Sequence, residues 1–163
     1  MAVALTILPE HQLCLLCFSG AVTPADFDDV WKKLSSATER RADFDELVFI
    51  GADVLHSSIE YQLTKAEAAR FVQAYQRTPE FQPKRIAFIC ATEMQRAFIR
   101  MFGAYVEACG PCNAAIAAVA SLGEAIGWVE PSKGPTRKLD RAEIADLVRQ
   151  MGQGWCLKDS AAA

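Results

Sequence analysis

The sequence lacks the segments that direct a chain into or across a membrane. No positive charge precedes its first apolar stretch, and Pro9, Glu10 and His11 interrupt that stretch too early for a signal peptide. The longest apolar runs, such as Leu13 to Phe18, fall well short of the ~20 residues that a membrane-spanning helix needs. We therefore expect a cytoplasmic protein with no transmembrane segment.

A basic excess is missing as well. The 163 residues include 17 Lys and Arg against 20 Asp and Glu, which gives a net charge of −3. Proteins that bind nucleic acid usually present clustered positive charge to the phosphate backbone. We therefore expect no nucleic-acid partner.

Common catalytic motifs are also absent. The sequence contains no G-x-S-x-G, H-E-x-x-H, G-x-x-x-x-G-K or G-x-G-x-x-G string. Its two histidines, His11 and His56, have no identifiable partner. Six acids lie at predicted helix starts and turns, where caps and solvated carboxylates are the ordinary explanation: Asp26, Asp28, Asp29, Asp43, Asp45 and Glu46. We expect no enzymatic activity, no catalytic residue, no cofactor and no metal site.

The residues that are present predict an α/β domain. Hydrophobic residues make up 52% of the chain and charged residues 23%, which is enough apolar surface to form a core. Strands are predicted over residues 3–8, 12–19, 47–50, 85–90 and 113–120. Leu13 to Phe18 is apolar at every position, which is typical of a strand buried on both faces near the middle of a sheet.

Helices are predicted from capping residues that precede apolar stripes. The capping pairs are Thr23 with Asp26, Thr64 with Glu67, Thr92 with Gln95, Ser121 with Glu124 and Asp140 with Glu143. The alternation of strands and helices predicts a mixed or mostly parallel sheet of about 4–5 strands with about 4–5 helices.

The core domain is predicted to span residues 1–130. Residues 131–136 are rich in Pro and Gly and are typical of a linker, so residues 131–163 form a linker, an amphipathic helix at about 140–151 and a tail. The apolar stripe of this last helix docks on another chain, as a partner or dimer element, or it packs on its own sheet.

The string Cys109-Gly110-Pro111-Cys112 matches the active-site motif of the thioredoxins. Thioredoxin chemistry needs the first cysteine at the N-terminal end of a helix, where free N–H groups and the helix dipole stabilise the thiolate. Here the motif follows a predicted helix, so the nearer end of the dipole is negative. Thiol redox activity at Cys109 and Cys112 is therefore the least favoured function.

Two C-x-x-C strings also have the spacing of zinc half-sites. Side chains three positions apart in a strand point to opposite faces, so Cys14 and Cys17 cannot share a metal ion. Reduced, mostly buried thiols are the preferred interpretation of the six cysteines.

The predicted helix from Met94 to Glu107 has a broad apolar face flanked by Arg96 and Arg100. Such a face lines a pocket for an apolar ligand, touches a membrane surface, or packs against the sheet, and packing explains it most simply. The candidate pocket residues are Phe98, Met101, Phe102 and Tyr105.

Several short strings occur in an order that resembles the SpoIIAA-like proteins, bacterial STAS/SEC14-type domains related to anti-anti-sigma factors. The matching strings are Phe18 to Thr23 with Asp26-Phe27, Asp43 to Val48, Leu63 to Ala68, Lys84 to Ile89 and Ser121 to Val129. They cover roughly residues 1–130.

The resemblance implies a STAS-like, non-enzymatic domain that binds a protein partner in regulation, with a small apolar ligand or lipid as the alternative. Self-association is compatible with either. Anti-anti-sigma factors are switched by phosphorylation of a serine at the start of the second helix, which makes Ser57 and Ser58 candidate phospho-acceptors. Both precede the predicted cap Thr64 by several residues, whereas the helix dipole stabilises a phosphate only at the N-terminal end of the helix.

Overall fold

One five-stranded sheet organises the protein. The computed structural model describes residues 3–37, 44–54, 65–77, 85–110, 114–130 and 139–151. The strands are β1 (Val3–Leu8), β2 (Leu13–Phe18), β3 (Asp45–Ile50), β4 (Arg85–Cys90) and β5 (Ala115–Val119), and they lie side by side in that order. β1 runs antiparallel to β2 and is joined to it by a 3-10 turn at Pro9–His11, whereas β2 to β5 are parallel.

Five helices accompany the sheet within the described residues: α1 (Pro24–Ser36), α2 (Lys65–Arg77), α3 (Glu93–Cys109), α4 (Leu122–Val129) and α5 (Arg141–Met151). The predicted α/β class with a mixed sheet is therefore confirmed. In the part of the chain that is described, no helix is both long and apolar enough to cross a bilayer.

The helix starts follow the predicted caps wherever these residues are described. Glu124 donates its N–H to the Ser121 hydroxyl at 3.2 Å, and Ala142 donates its N–H to the Asp140 carboxylate at 2.8 Å. At α1 the hydroxyl and the N–H of Thr23 both donate to Asp26, and these hydrogen bonds lower the pKa of that carboxyl. Thr64 lies outside the described residues.

The consecutive strand order determines where the first three helices lie. Each crossover from β2 to β5 steps in the same direction, and right-handed crossovers then place their helices on the same face of the sheet. Val30 of α1, Val72 of α2 and Phe102 of α3 accordingly share one core with Leu16 and Val48 of the sheet.

α4 and α5 cover the opposite face. Ile126 of α4 and Ile144 and Val148 of α5 pack in a second core with Leu15 and Phe49. Ile144 and Val148 have no exposed surface. The apolar stripe of α5 therefore packs on its own sheet, while the predicted boundary near residue 130 stays a prediction.

β2 and β3 are buried along their whole length because helices cover both faces. Alternation along β2 sends Cys14 into the first core and Cys17 into the second. The two thiols therefore lie on opposite sides of the sheet, as predicted, and cannot bind one metal ion.

The interpretation of Asp45 and Glu46 as solvated turn residues is wrong. Both begin β3 and are buried, Asp45 completely. The Asp45 carboxylate accepts the N–H of Arg85 at 3.0 Å, and the Asp45 N–H donates to the carbonyl of Gln12 at 2.9 Å. Asp45 thus ties together the starts of three adjacent strands, a role for which a buried acceptor is needed.

The position of α5 generates a stability prediction. Ile144→Ala should lower the free energy of unfolding by about 3 kcal/mol, because it leaves a cavity between α5 and the sheet. Gln150→Ala, at an exposed position of the same helix, should change the free energy by less than about 0.5 kcal/mol. Urea unfolding of the full chain measures both, and equal small effects would contradict the packing of α5 as part of the core.

Candidate binding surface

The loops that leave β2 and β3 are joined at the carboxyl edge of the sheet, where α/β folds usually bind ligands. Gly51 donates its N–H to the carbonyl of Phe18 at 3.0 Å, and Gly20 donates its N–H to the Asp53 carboxylate at 2.9 Å. A Cβ atom at Gly51 would lie 2.4 Å from Oδ1 of Asp53, so a larger residue here would displace the Asp53 carboxylate. The two loops therefore form one unit.

A buried amide connects α3 to this unit. The side chain of Gln95 is fully buried, and its Nε2 donates to the carbonyl of Gly51 at 2.9 Å. Its Oε1 accepts the N–H of Thr92 at 3.1 Å, and its own N–H donates to the Thr92 hydroxyl at 3.2 Å. Gln95 completes the predicted capping box and also holds the first turn of α3 against the end of β3.

A small ion-pair network lies on the exposed side of the same turn. Glu93 accepts hydrogen bonds from Nε of Arg96 at 2.9 Å and from Arg100 at 3.1 Å. These two hydrogen bonds lower the pKa of the Glu93 carboxyl, which therefore stays ionised at neutral pH. The start of α3 presents fixed charges of both signs.

Beside this network, α3 exposes an apolar stripe. Met94 is 54% exposed and Met101 is 37% exposed. Among the described residues these two are the large apolar side chains that are exposed. Phe98 and Tyr105 follow at helical spacing on the same side and are partly buried at the rim of the first core. We name Met94, Phe98, Met101 and Tyr105 the methionine face.

The predicted pocket residues point in different directions. Phe102 is buried, and its ring meets those of Phe71 and Phe88 edge-on at centroid distances of 5.4 and 6.5 Å. Phe98, Met101 and Tyr105 instead belong to the methionine face. The structure therefore groups three of the four, and their role as a ligand pocket stays a prediction.

The thioredoxin-like string begins at the wrong end of a helix for thiolate chemistry. α3 ends at Cys109, and Gly110 adopts a positive φ of 135° just beyond it. Cys109 thus faces the negative end of the helix dipole, as the sequence predicted. Cys112 lies outside the described residues, as do Ser57 and Ser58.

Two buried thiols are held in the protonated form. Burial raises the pKa of Cys17 and of Cys90 to about 12. A thiol in that state is a poor nucleophile and a poor metal ligand. Within the described residues no three His, Cys, Asp or Glu side chains are grouped so as to hold a metal ion.

The sequence does not predict the partner of His11. His11, for which no partner was identified, has its Nε2 3.6 Å from the carboxylate of Glu143 on α5. The contact links the β1–β2 turn to the last helix. No local motif predicts this contact, because the two residues meet only through the packing of α5. The other histidine, His56, lies outside the described residues.

Comparison with known proteins finds a likeness of fold only. No family model and no curated protein matches the sequence. A similar solved structure is that of an uncharacterized protein from the DUF3478 family with a SpoIIAA-like fold, from Shewanella loihica PV-4. The match has 13% sequence identity and a TM-score of 0.48, and it covers 78% of this chain and 93% of that chain. The match says nothing of function.

The role of Gln95 generates a second prediction. Gln95→Met should lower the free energy of unfolding by about 2 kcal/mol, because it leaves the Gly51 carbonyl and the Thr92 N–H without their buried partner. Gln73→Met, at an exposed position of α2, is the matched control. Amide exchange at Thr92 should accelerate in the first variant only, and an unchanged rate would show that the amide does not hold this turn.

The thiol states generate a third prediction. In the native protein at pH 8, iodoacetamide should modify the half-buried Cys109 before Cys17 and Cys90, since thiols with a pKa of about 12 are almost entirely protonated there. Peptide mass spectrometry locates the modified residues, and urea-unfolded protein serves as the control in which all three react. Early modification of Cys17 or Cys90 in folded protein would contradict the buried, neutral state.

Proposed function

We propose that the chain is a non-enzymatic domain that binds a protein partner in regulation, and that the methionine face of α3 is its contact surface. The observation that carries the proposal is the exposure of Met94 and Met101, at 54% and 37%, on one side of a helix. Isolated exposed apolar residues are ordinary, but a contiguous apolar patch is typical of an interaction site.

The composition of the methionine face suits a protein partner. Methionine side chains are flexible and polarisable, so they adapt to the uneven surface of another protein. Phe98 and Tyr105 add aromatic area to the patch, and aromatic residues are enriched in protein interfaces. Their inner edges pack on the first core, so little side-chain freedom is lost on binding.

The surroundings of the face support the same function. Glu93, 68% exposed and paired with Arg96, lies at the amino-terminal end of the face and supplies charge at its border, as in the polar rim of an interface. Gln95 fixes the first turn of α3 to the end of β3, which keeps the patch rigid. A preorganised surface of this kind binds with a smaller entropic cost.

Two of the carboxylates have structural rather than catalytic roles. The Asp26 carboxylate is engaged by Thr23 as a helix cap, and the Glu93 carboxylate is engaged by two arginines. Both pKa values are lowered, whereas a general base for work near neutral pH needs a raised one.

The test is native mass spectrometry of the full chain purified gently from its own host. We expect a stoichiometric protein complex, and we expect the double variant Met94→Glu, Met101→Glu to weaken it at least about tenfold, because buried charges would oppose the apolar contact. Ala142→Glu with Gln150→Glu, at exposed positions of α5, adds the same charge elsewhere and should leave the complex intact.

Two outcomes would overturn the proposal. A complex that survives the double methionine variant would remove the methionine face as its contact surface. A lipid-sized mass bound in place of a protein would instead support the alternative, a carrier of a small apolar ligand, and phosphate on Ser57 or Ser58 in the bound form would add the predicted switch.

A further inference from the structure

Within the part of the chain that the structure describes, β5 is an edge strand of the sheet and carries no feature that discourages pairing. Its residues, Ala115 to Val119, are all apolar, and each is at least partly exposed, whereas β2 and β3 are buried throughout. Soluble proteins usually discourage pairing at an edge with a charged residue, a proline or a bulge. β5 carries neither a charge nor a proline, and it pairs regularly with β4.

The flank of α3 above this edge carries charges in a definite order. A methyl group at Gly103 would lie 3.8 Å from Cβ and Cγ2 of Ile116, so this flank of α3 faces β5. Arg100 and Glu107 lie three residues before and four residues after Gly103, which places both on the same flank. Both are exposed. The flank therefore runs from a positive charge through a glycine to a negative charge.

We propose that β5 pairs antiparallel with β5 of a second copy of this chain, about a twofold axis that passes between the two Ala117 residues. In this arrangement Arg100 of each α3 faces Glu107 of the other α3. The proposal concerns a different side of α3 from the methionine face, and it does not depend on the proposed function.

The strand and the helix agree on the position of that axis. Pairing about Ala117 sets Ala115 opposite Val119 and Ile116 opposite Ala118, so each branched side chain meets an alanine across the seam. On α3, the point midway between Arg100 and Glu107 falls at residues 103–104, next to Gly103. Gly103 in turn lies against Ile116, beside the centre of β5. The same twofold axis therefore relates the two β5 strands and the two α3 helices.

The spacing of the layers fits as well. Paired strands lie about 4.8 Å apart, and α3 packs over both β4 and β5, so its axis lies inward of the edge strand. With each axis about half a strand spacing inward of β5, the two α3 helices would lie about 8–10 Å apart, the distance that packed helices adopt. Gly103 at the point of closest approach leaves room for the opposing backbone, where a larger side chain would hold the helices apart.

Self-complementarity favours a second copy over an unrelated strand. A flank with opposite charges at equal distances from the axis matches its own copy rotated by half a turn, and this is the signature of an isologous interface. In the single chain Arg100 donates to Glu93 at 3.1 Å, so the dimer shares this arginine between two carboxylates. The product is one continuous sheet whose remaining edges are the two β1 strands.

Sedimentation equilibrium of the full chain over a range of concentrations tests the pairing. We expect a reversible dimer for the wild type. Glu107→Arg and Arg100→Glu should each weaken it by about tenfold or more, because like charges then face each other on both sides of the axis. The double variant should restore the affinity to near the wild-type value, since the charges have only exchanged places.

Matched controls separate pairing from folding and from net charge. Asp29→Arg, on α1, changes the net charge as Glu107→Arg does and should leave the dimer unchanged. Circular dichroism verifies the fold of each variant, and amide exchange at Ala117 and Ala118 should slow as the wild-type concentration rises. A monomeric wild type, a dimer that neither single variant weakens, or a double variant as weak as the single ones would overturn the proposal.

Discussion

The burial of β2 and β3 on both faces is the constraint on which the rest of the fold depends. Three right-handed crossovers in one direction put α1, α2 and α3 on the same side of the sheet, so they cannot cover the other side. Leu15 and Phe49 on that other side would each cost roughly 1.5–3 kcal/mol if left in water. α4 and α5, which follow the last strand, supply the missing layer.

Much of this architecture could be predicted from local signals. The unbroken apolar run of β2 indicates a central strand, and the caps at Thr92 and Ser121 mark where helices begin, because both depend on residues close together in sequence. The destination of α5 could not be predicted in this way. Its apolar stripe shows that something covers it, but only the strand order shows that its own sheet has an uncovered face.

The helix that carries the candidate surface could be predicted from the sequence, but the side of it that enters the core could not. Sequence periodicity singles out α3, yet Met101 and Phe102 are neighbours in sequence and about 100° apart around the helix axis. Which of the two enters the core depends on where the sheet and α2 lie. Asp45 shows the same limit, since a carboxylate before a strand looks solvated until the adjoining strands bring Arg85 against it.

The strand order also has a consequence for how the chain acquires its structure in the cell. Leu13 and Leu15 are made early, whereas Ile144 and Val148, which cover the same face, are made at the far end of the described chain. A nascent chain that folds from its amino end therefore exposes an apolar face of the sheet until α5 has left the ribosome. Completion of the second core is a late event in synthesis, and the interval before it is the time at which chaperones have the most surface to bind.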